Sequence, residues 1–465
     1  MSPARATQDT VLDYTFDWNN AAEVAIETAL GEIPVVGSFL SALLQIFWPK
    51  SGEDIWSEIK SQVEQLINQR FDQDTYEKVQ ASLAGLNNNM NDYLTALQAG
   101  KGDPNYISEV WNVADGDFDQ QLPTFQLSSY QLLLLPLFAQ FANLNLTLLR
   151  DGVQNGASWG WTPAIIASNT QKLTSKITAY TQYAQQIYQQ GYNNILANTP
   201  TDNHNCQPFR AVNNYVRQMT LSVYDFTWLW PYFDVTKYPK PVNVYLDREI
   251  YSDPVGTADD SGAINLPSVP TQPISQITVW GWDRIDAAQV SYPAGGGPGG
   301  VTTTARMGDQ NGGSNAPPYG GVFNVSTNPV TVAAGLSGSI LNAFTFTFKD
   351  DSNSGQLGGN YPGGGPFSFS YTGEILSRIH INGVSNYYGS ADCAVFGFKY
   401  ERSQTANLDA LRRLYIGTAS DITLSDLAAR CVTRPIPLDQ LSATAAAEGW
   451  DAQRQAYWSA LKMRH

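Results

Sequence analysis

The sequence predicts an α+β multidomain protein, with a helical N-terminal half, a β-rich second half and a short helical tail. From about Trp18 to Trp230, apolar residues recur at three- and four-residue spacing, as they do in the helices of a bundle. From Ile274 onward the period changes to two, for example in Phe344-Thr-Phe-Thr-Phe, which is typical of strands. We therefore place a helical domain at residues 1–255, a linker at 256–273, a β domain at 274–416 and a helical tail at 417–465.

Composition limits what the protein can bind. With 465 residues, 43% of them hydrophobic, the chain can bury the cores of more than one domain. Its 27 basic and 42 acidic side chains give a net charge of −15, which opposes nucleic-acid binding and docking on an anionic membrane by charge alone. The start of the chain lacks a charged region followed by an apolar one, so we expect a soluble protein without a signal peptide.

Catalytic and metal-binding motifs are not apparent. The three histidines, His204, His380 and His465, have no metal-binding spacing, and nucleophile-elbow and phosphate-loop motifs are absent from the sequence. Three widely separated cysteines predict neither a disulfide framework nor a zinc site. We expect no enzyme, no cofactor and no metal.

The most apolar segment lies near the middle of the helical half. Residues 120–149 contain no charged side chain, and a helix of roughly 23 residues there is about 35 Å long, enough to cross the hydrocarbon layer of a bilayer. Gln140, Asn143 and Thr147 share one face of this helix. Such a segment is either the buried centre of a large soluble bundle or a segment that enters lipid, and the two interpretations are compatible.

The preceding helix, Asn105 to Gln121, is amphipathic. Its apolar stripe consists of Ile107, Trp111, Ala114 and Phe118. Its polar face consists of Ser108, Asn112, Asp115 and Asp119, within an arc of roughly 60°. This face is either simply solvated or, if both helices insert as a hairpin through the turn at Leu122, Pro123 and Thr124, the lining of an aqueous lumen. Carboxylates lining a lumen favour cations.

Four segments of the helical half resemble the three-domain insecticidal delta-endotoxins, the Cry toxins, in order and spacing. They are Ile33–Phe39 with Trp48-Pro, Val63–Gln69, Leu134–Asp151 and Leu246–Val255. The resemblance implies a seven-helix bundle around a central hydrophobic helix at about Leu127 to Asp151, and a cation-conducting pore built from several copies of the chain. The implied pore-lining residues are Asp115 and Asp119, with Glu109, which points away from their arc, and Asn143 as further candidates.

The β half carries a second resemblance. Ile277 to Tyr292, followed by a glycine-rich stretch, resembles the opening hairpin of jacalin-like lectins, and the second domain of the toxin family is itself a three-sheet β-prism. Both resemblances imply a β-prism. The sugar-binding Gly-x-x-x-Asp loop of the lectins corresponds here to Thr405 through Asp409, with Thr405 in place of the glycine. Tyr319 and Tyr361 are further candidates for stacking on sugar or receptor, although ordinary packing also explains such aromatics.

These resemblances imply an insecticidal-type pore-forming toxin. Its partners are a target-cell membrane, reached from outside the cell, and a surface receptor that is a protein or a glycan. The family usually adds a third, β-sandwich domain, which does not fit in the roughly 50 residues after the prism; we expect a two-domain relative or a partner that supplies that part. The alternative is a carbohydrate-binding defence lectin whose helical domain is only a scaffold.

Overall fold

A computed structural model gives the fold of most of the chain. It describes residues 17–22, 38–48, 55–99, 103–200, 206–239, 244–246, 248–256, 263–359, 364–385, 389–401, 412–414 and 421–422. Seven helices of ten or more residues lie in this described part: α1 Ser38–Phe47, α2 Ile55–Ile67, α3 Gln73–Ala99, α4 Pro104–Gln121, α5 Gln131–Asn155, α6 Pro163–Asn198 and α7 Gln207–Met219. They form a bundle, as the sequence predicts.

Helix α5 is the centre of the bundle, with α2, α4 and α6 packed around it. The extension of α7, which consists of the short helical segments Thr220–Tyr224 and Asp225–Thr227, also packs on α5. The sequence placed its start at Leu127, which is wrong by four residues. Residues Leu122–Gln126 form a 3₁₀ turn, and Leu127 then takes an extended conformation with φ −55° and ψ 120°, so the helix cannot begin there. The helix continues to Asn155, four residues beyond the predicted end at Asp151.

Local sequence explains where α4 and α6 begin. The Asp103 side chain accepts hydrogen bonds from the backbone N–H groups of Asn105 and Tyr106, and Pro104 occupies the first helical position, where its missing N–H costs nothing. Thr162 and Pro163 repeat this arrangement at the start of α6. The start of α4 was therefore predictable to within one residue.

Three four-stranded sheets make up most of the described second half of the chain. The first has the order β7-β6-β5-β8, with β5 Gln276–Gly281, β6 Ile285–Ser291, β7 Met307–Gly308 and β8 Gly321–Asn324. The second has the order β11-β10-β9-β12, with β9 Val330–Ser337, β10 Leu341–Phe348, β11 Leu357–Gly358 and β12 Gly365–Phe369. The third joins β13 Glu374–Val384, β14 Ala391–Tyr400 and the short strands β2 Ile250–Tyr251 and β3 Val255–Gly256. Apolar residues from all three sheets meet in one core.

The same backbone arrangement occurs in all three sheets. A two-residue strand ending in a glycine with positive φ pairs with the long strand of each sheet: Gly308 with β6, Gly358 with β10 and Gly256 with β14. A Cβ on any of these glycines would lie 2.0 to 2.4 Å from a backbone carbonyl oxygen, that of Asp286, Asn342 or Asp392 respectively. Only glycine fits this position, and the shared register gives the prism its approximate threefold symmetry.

Two predicted boundaries require correction. The boundary at residue 255 divides the third sheet, because β2 and β3 pair with β14 and so belong to the prism rather than to the helical domain. The predicted linker contains β4, Leu266–Pro267, which pairs with β16, Asp421–Ile422. Strand β15, Arg412–Leu414, pairs in parallel with β1, Val244–Leu246. Apart from the strand residues 421–422, the predicted helical tail lies outside the described residues.

Candidate functional site

Helix α5 is long enough to span a bilayer, and its apolar stretch is completely shielded. Its 25 residues correspond to about 37 Å, against a hydrocarbon thickness of about 30 Å. Among the described residues it is the only helix that combines this length with sufficient hydropathy, and every residue from Leu132 to Leu149 is buried. A soluble core helix has the same properties, so the surroundings of α5 determine how it can act.

The polar residues of α5 are bonded inside the bundle. Asn143, a predicted pore-lining residue, is 1% exposed, and its Oδ1 accepts a 2.7 Å hydrogen bond from the indole N–H of Trp230. Its amide nitrogen donates to Gln140, which in turn donates to the backbone carbonyl of Ser222. These contacts allow an uncharged polar face to lie within the core in water.

Helix α4 binds α5 along its apolar face. The predicted stripe is confirmed: Ile107, Trp111, Ala114 and Phe118 are the buried residues of α4. The Trp111 indole donates a 2.8 Å hydrogen bond to the backbone carbonyl of Leu148 on α5. Phe118 packs edge-to-face on Phe141, with ring centroids 5.2 Å apart. The two helices therefore form one packed hairpin.

The connection between the helices also packs on α5. The predicted turn residues Leu122, Pro123 and Thr124 begin the 3₁₀ turn, in which Pro123 is exposed. Within the same turn Phe125 is buried against Phe141, at a centroid distance of 4.7 Å. The predicted turn thus lies at one end of the hairpin, in a connection longer than expected.

Four charged side chains join α4 to α6. The Lys172 ammonium lies 2.6 Å from an Asp115 carboxylate oxygen and 2.7 Å from one of Asp119, and the Lys176 ammonium lies 2.6 Å from the other oxygen of Asp119. We call Asp115, Asp119, Lys172 and Lys176 the clamp. The two predicted lumen carboxylates are therefore brought together and pair with lysines in this structure, while the Asp119 side chain remains 48% exposed.

The clamp also holds α5. Lys176 donates a 2.8 Å hydrogen bond to Asn145 Oδ1 of α5, and the Tyr180 hydroxyl donates to the same oxygen at 2.8 Å. Lys176 thus contacts both helices of the hairpin from α6. Its ammonium is well placed to stabilise the closed bundle.

The clamp shifts the pKa values of Asp119, Lys172 and Lys176. Burial raises the pKa of Asp119, but hydrogen bonds from Lys172 and Lys176 outweigh burial and leave that pKa below its usual value. Burial lowers the pKa of Lys172, but the two carboxylates outweigh it and raise that pKa overall. For Lys176 burial prevails, so its pKa is lowered. At neutral pH Asp119 is therefore charged and faces two cationic partners.

Sequence reasoning missed both lysines. Lys172 and Lys176 are the only charged residues among the 36 of α6, and they are four residues apart, so they lie on one face. That isolated pair was the available signal. The remaining pore-lining candidate, Glu109, is exposed on α4.

An exposed aromatic pair marks one end of the prism. Trp282, in the β5–β6 hairpin loop, is 53% exposed, and Tyr319 is 40% exposed, with ring centroids 5.7 Å apart. Tyr319 is a predicted sugar- or receptor-contact residue, whereas Trp282 was missed although Trp-Gly-Trp-Asp precedes the hairpin turn. The other candidates, Tyr361, Thr405 and Asp409, lie outside the described residues.

A buried carboxyl lies behind this hairpin. Asp286 on β6 is 5% exposed, and its Oδ2 has no hydrogen-bond partner among the described residues. Burial raises the pKa of Asp286 to about 6, although Arg284 opposes the shift, and Asp309 adds to it. Within the described part of the chain no three His, Cys, Asp or Glu side chains form a group able to hold a metal ion.

We predict that Asp286→Asn stabilises the prism at pH 7 but not at pH 4. Because the folded-state pKa exceeds the unfolded value, the destabilisation is absent below about pH 4 and complete above about pH 6. Asn342 occupies the equivalent position in the second sheet, so asparagine fits this backbone. The expected gain in unfolding free energy at pH 7 is about 1 kcal/mol, after allowance for solvent screening. Thermal melts at both pH values test this, with exposed Asp351→Asn as control; an equal gain at pH 4 contradicts the assignment.

The fold and the site together define a class of protein. Its helical bundle contains a hairpin whose central helix is long enough to cross a membrane, and the bundle is joined to a three-sheet β-prism. The family model for the delta endotoxin N-terminal domain matches residues 25–234. This part of the chain therefore matches the N-terminal domain of the delta endotoxins.

Curated relatives match the same half. The chain is 34% identical over 248 residues to pesticidal crystal protein Cry26Aa of Bacillus thuringiensis subsp. finitimus, a match that covers 51% of this chain and 21% of that protein. It is 33% identical over 242 residues to Cry8Ba of Bacillus thuringiensis serovar kumamotoensis, covering 50% of this chain and 20% of that one. The chain therefore spans about a fifth of the length of these relatives.

Solved structures share the fold across both domains. Insecticidal delta-endotoxin Cry8Ea1 from Bacillus thuringiensis superposes with a TM-score of 0.68 at 23% identity, covering 88% of this chain and 78% of that one. PirB superposes with a TM-score of 0.64 at 16% identity, covering 83% of this chain and 94% of that chain. The bundle followed by a β-sheet domain is thus a fold that this chain shares with these solved proteins.

Proposed function

We propose that the protein is an insecticidal-type pore-forming toxin. It binds a receptor on the target cell from outside, inserts the α4–α5 hairpin into the membrane and assembles with other copies into a cation-conducting pore. The observation that supports this most directly is α5, a bilayer-length apolar helix that is wholly shielded in water and closed in by charge pairs.

The two helices of the hairpin meet their neighbours through different kinds of contact. Helix α4 adheres to α5 through apolar packing and the Trp111 hydrogen bond, neither of which needs water. It adheres to α6 largely through the clamp, whose charges gain hydration when they separate. The boundary between α4 and α6 is therefore polar, whereas α5 also packs on α6 through the rings of Phe138, Tyr180 and Tyr183.

Lipid can accept this hairpin. Backbone groups of a helix are satisfied internally, so α5 can cross hydrocarbon without new partners for its main chain. Asp115 and Asp119 cannot face lipid as charges and are proposed to line the lumen, with Asn143 as a polar neighbour and Glu109 near the mouth. A lumen lined by carboxylates conducts cations.

The prism is proposed to recognise the target cell. Trp282 and Tyr319 present apolar ring surface with polar tips at the end of the prism, a combination suited to a sugar or a protein surface. The protein has a net charge of −15, so this contact rather than charge is proposed to bring it to the membrane.

Dye release from liposomes tests the proposal. At sufficient concentration the protein is expected to release an entrapped dye even from receptor-free vesicles, because insertion depends on the hairpin. A carbohydrate-binding lectin with an inert helical scaffold leaves vesicles intact at every concentration, and that result would overturn the proposal.

The lumen assignment has a separate test. We predict that Asp115→Asn combined with Asp119→Asn lowers cation preference in planar bilayers, so that the reversal potential under a salt gradient moves toward zero. Asp117→Asn is the matched control, because Asp117 lies on the same helix but outside the arc and is bonded to Asn89 on α3. Unchanged reversal potentials in the double variant, or an equal change in the control, contradict the assignment.

A further inference from the structure

Two cysteines from different domains meet in the core. The sulfur atoms of Cys206 and Cys393 are 3.3 Å apart, although 187 residues separate them in the chain. Cys206 precedes α7, the last long helix of the bundle, whereas Cys393 lies on β14 of the third sheet. Both are buried, with Cys206 3% exposed and Cys393 0% exposed. The sequence had indicated only widely separated thiols.

The thiol pair completes an interface between α7 and the prism. Arg210 of α7 donates to the backbone carbonyl of Pro254 at 3.1 Å, and Asn213 donates to those of Tyr251 and Ser252 at 3.1 and 3.0 Å. Arg217 continues the row with hydrogen bonds to Tyr251 and a 2.8 Å ion pair with Asp253. Residues 206, 210, 213 and 217 recur at three- and four-residue spacing, so they share one face of the helix.

On the prism side, the pairing of β3 with β14 places Cys393 at the end of the same row of contacts. Cys393 pairs with Gly256 of β3, immediately beyond the segment 251–254 that α7 contacts. The two sulfurs therefore lie at one end of this polar row, where the N-terminal end of α7 reaches the third sheet. The hydrogen bonds from Arg210, Asn213 and Arg217 hold the backbone of α7 and that of residues 251–254 in place beside the two sulfurs.

We propose that Cys206 and Cys393 form an interdomain disulfide under oxidising conditions, which covalently ties the bundle to the prism. The sulfurs must approach by about 1.3 Å to reach a bond length near 2.05 Å. Cys206 immediately precedes α7 and has a φ of 52°, which is outside the helical range. Side-chain rotation and a small backbone adjustment at this residue can therefore supply the movement. Neither cysteine lies in the α4–α5 hairpin, which the bond leaves unrestrained.

The chemistry balances with a small oxidant such as hydrogen peroxide. The Cys206 sulfur, the more accessible of the two, attacks one peroxide oxygen, breaks the O–O bond and becomes a sulfenic acid, releasing water. The Cys393 thiol then displaces the sulfenic oxygen as a second water and forms the S–S bond. Two thiols and one peroxide give one disulfide and two waters. The hydrogen bond with Cys206 and, after it, burial raise the pKa of Cys393, so we expect slow oxidation over hours.

The test compares the full chain after hydrogen peroxide with the same chain after dithiothreitol. Mapping of peptides without reduction is expected to find a Cys206–Cys393 cross-link in the oxidised sample and none in the reduced one. The oxidised protein is expected to melt at a temperature higher by roughly 5 °C, because the bond restricts the unfolded chain. Both changes should reverse with reductant.

Variants identify the pair. Cys431→Ala is the matched control and should retain the cross-link and the melting shift, whereas Cys393→Ala should lose both. A cross-link that uses Cys431, or oxidation of Cys206 to sulfinic acid without a bond to Cys393, would overturn the proposal. The comparison of oxidised and reduced wild-type protein is decisive even if Cys393→Ala folds poorly. None of these measurements depends on pore formation.

Discussion

Replacing Arg248 by methionine should destabilise the protein by about 3–5 kcal/mol, the largest effect that we expect of any single substitution here. Arg248 is 1% exposed, and its guanidinium donates two 3.1 Å hydrogen bonds and one 2.8 Å hydrogen bond to Asp225. It also pairs with Glu374 on β13 and donates to Asn19. One cation thus joins the α7 extension, the third sheet and the N-terminal helical residues.

The size of the effect comes from the two carboxylates that remain. Burial alone would lower the pKa of Arg248, but Asp225 and Glu374 outweigh burial and raise that pKa well above its ordinary value. In Arg248→Met both carboxylates stay buried without their cation. They must then bind protons or draw in water, and either response costs folding free energy.

Chemical denaturation of Arg248→Met measures this cost. The control is Lys349→Met, which removes a cation from an exposed pair with Glu401 and should change the unfolding free energy by less than about 1 kcal/mol. The triple variant Arg248→Met, Asp225→Asn, Glu374→Gln should recover part of the loss, because no buried charge is left. If Arg248→Met unfolds like the control, this network does not hold the domains together.

Periodic features of the sequence were predictable. The apolar stripe of α4 follows from four residues at helical spacing, and α5 follows from an uncharged run too long for a strand. The alternation around Phe344 predicts β10 for the same reason. In each case the pattern is set by which face is buried, and that information is local to the segment.

Features made by distant residues were not predictable. Nothing near Lys172 indicates that Asp115 will face it, and nothing near Cys206 indicates Cys393. The strands β2 and β3 have two residues each, too few for a period, so the boundary at residue 255 was misplaced. These features depend on how separate helices and strands pack against one another. A short segment of sequence carries no information about that packing.

The second large effect is expected at the clamp. We predict that Lys172→Met combined with Lys176→Met accelerates dye release from liposomes about tenfold or more, because loss of roughly 1.4 kcal/mol from the barrier to hairpin separation gives that factor. Without the ammonium groups, Asp115 and Asp119 face α6 with no cation, and Asn145 loses its link to Lys176. The closed bundle is weakened at the boundary that must open.

A variant on the opposite side of the clamp separates release from general instability. Asp115→Asn with Asp119→Asn removes the same pairs from α4 and should also accelerate release, but only this variant should alter cation preference. Lys60→Met is the matched lysine control, since the Lys60 ammonium pairs with Glu64 within α2 and lies 4.1 Å from the centre of the Tyr76 ring on α3. If the lysine double variant releases dye at the rate of Lys60→Met, the clamp does not limit insertion. The lysine double variant should leave the reversal potential unchanged. If it shifts the reversal potential as the aspartate double variant does, cation preference depends on the lysines as well, and the carboxylates do not line the lumen independently of them.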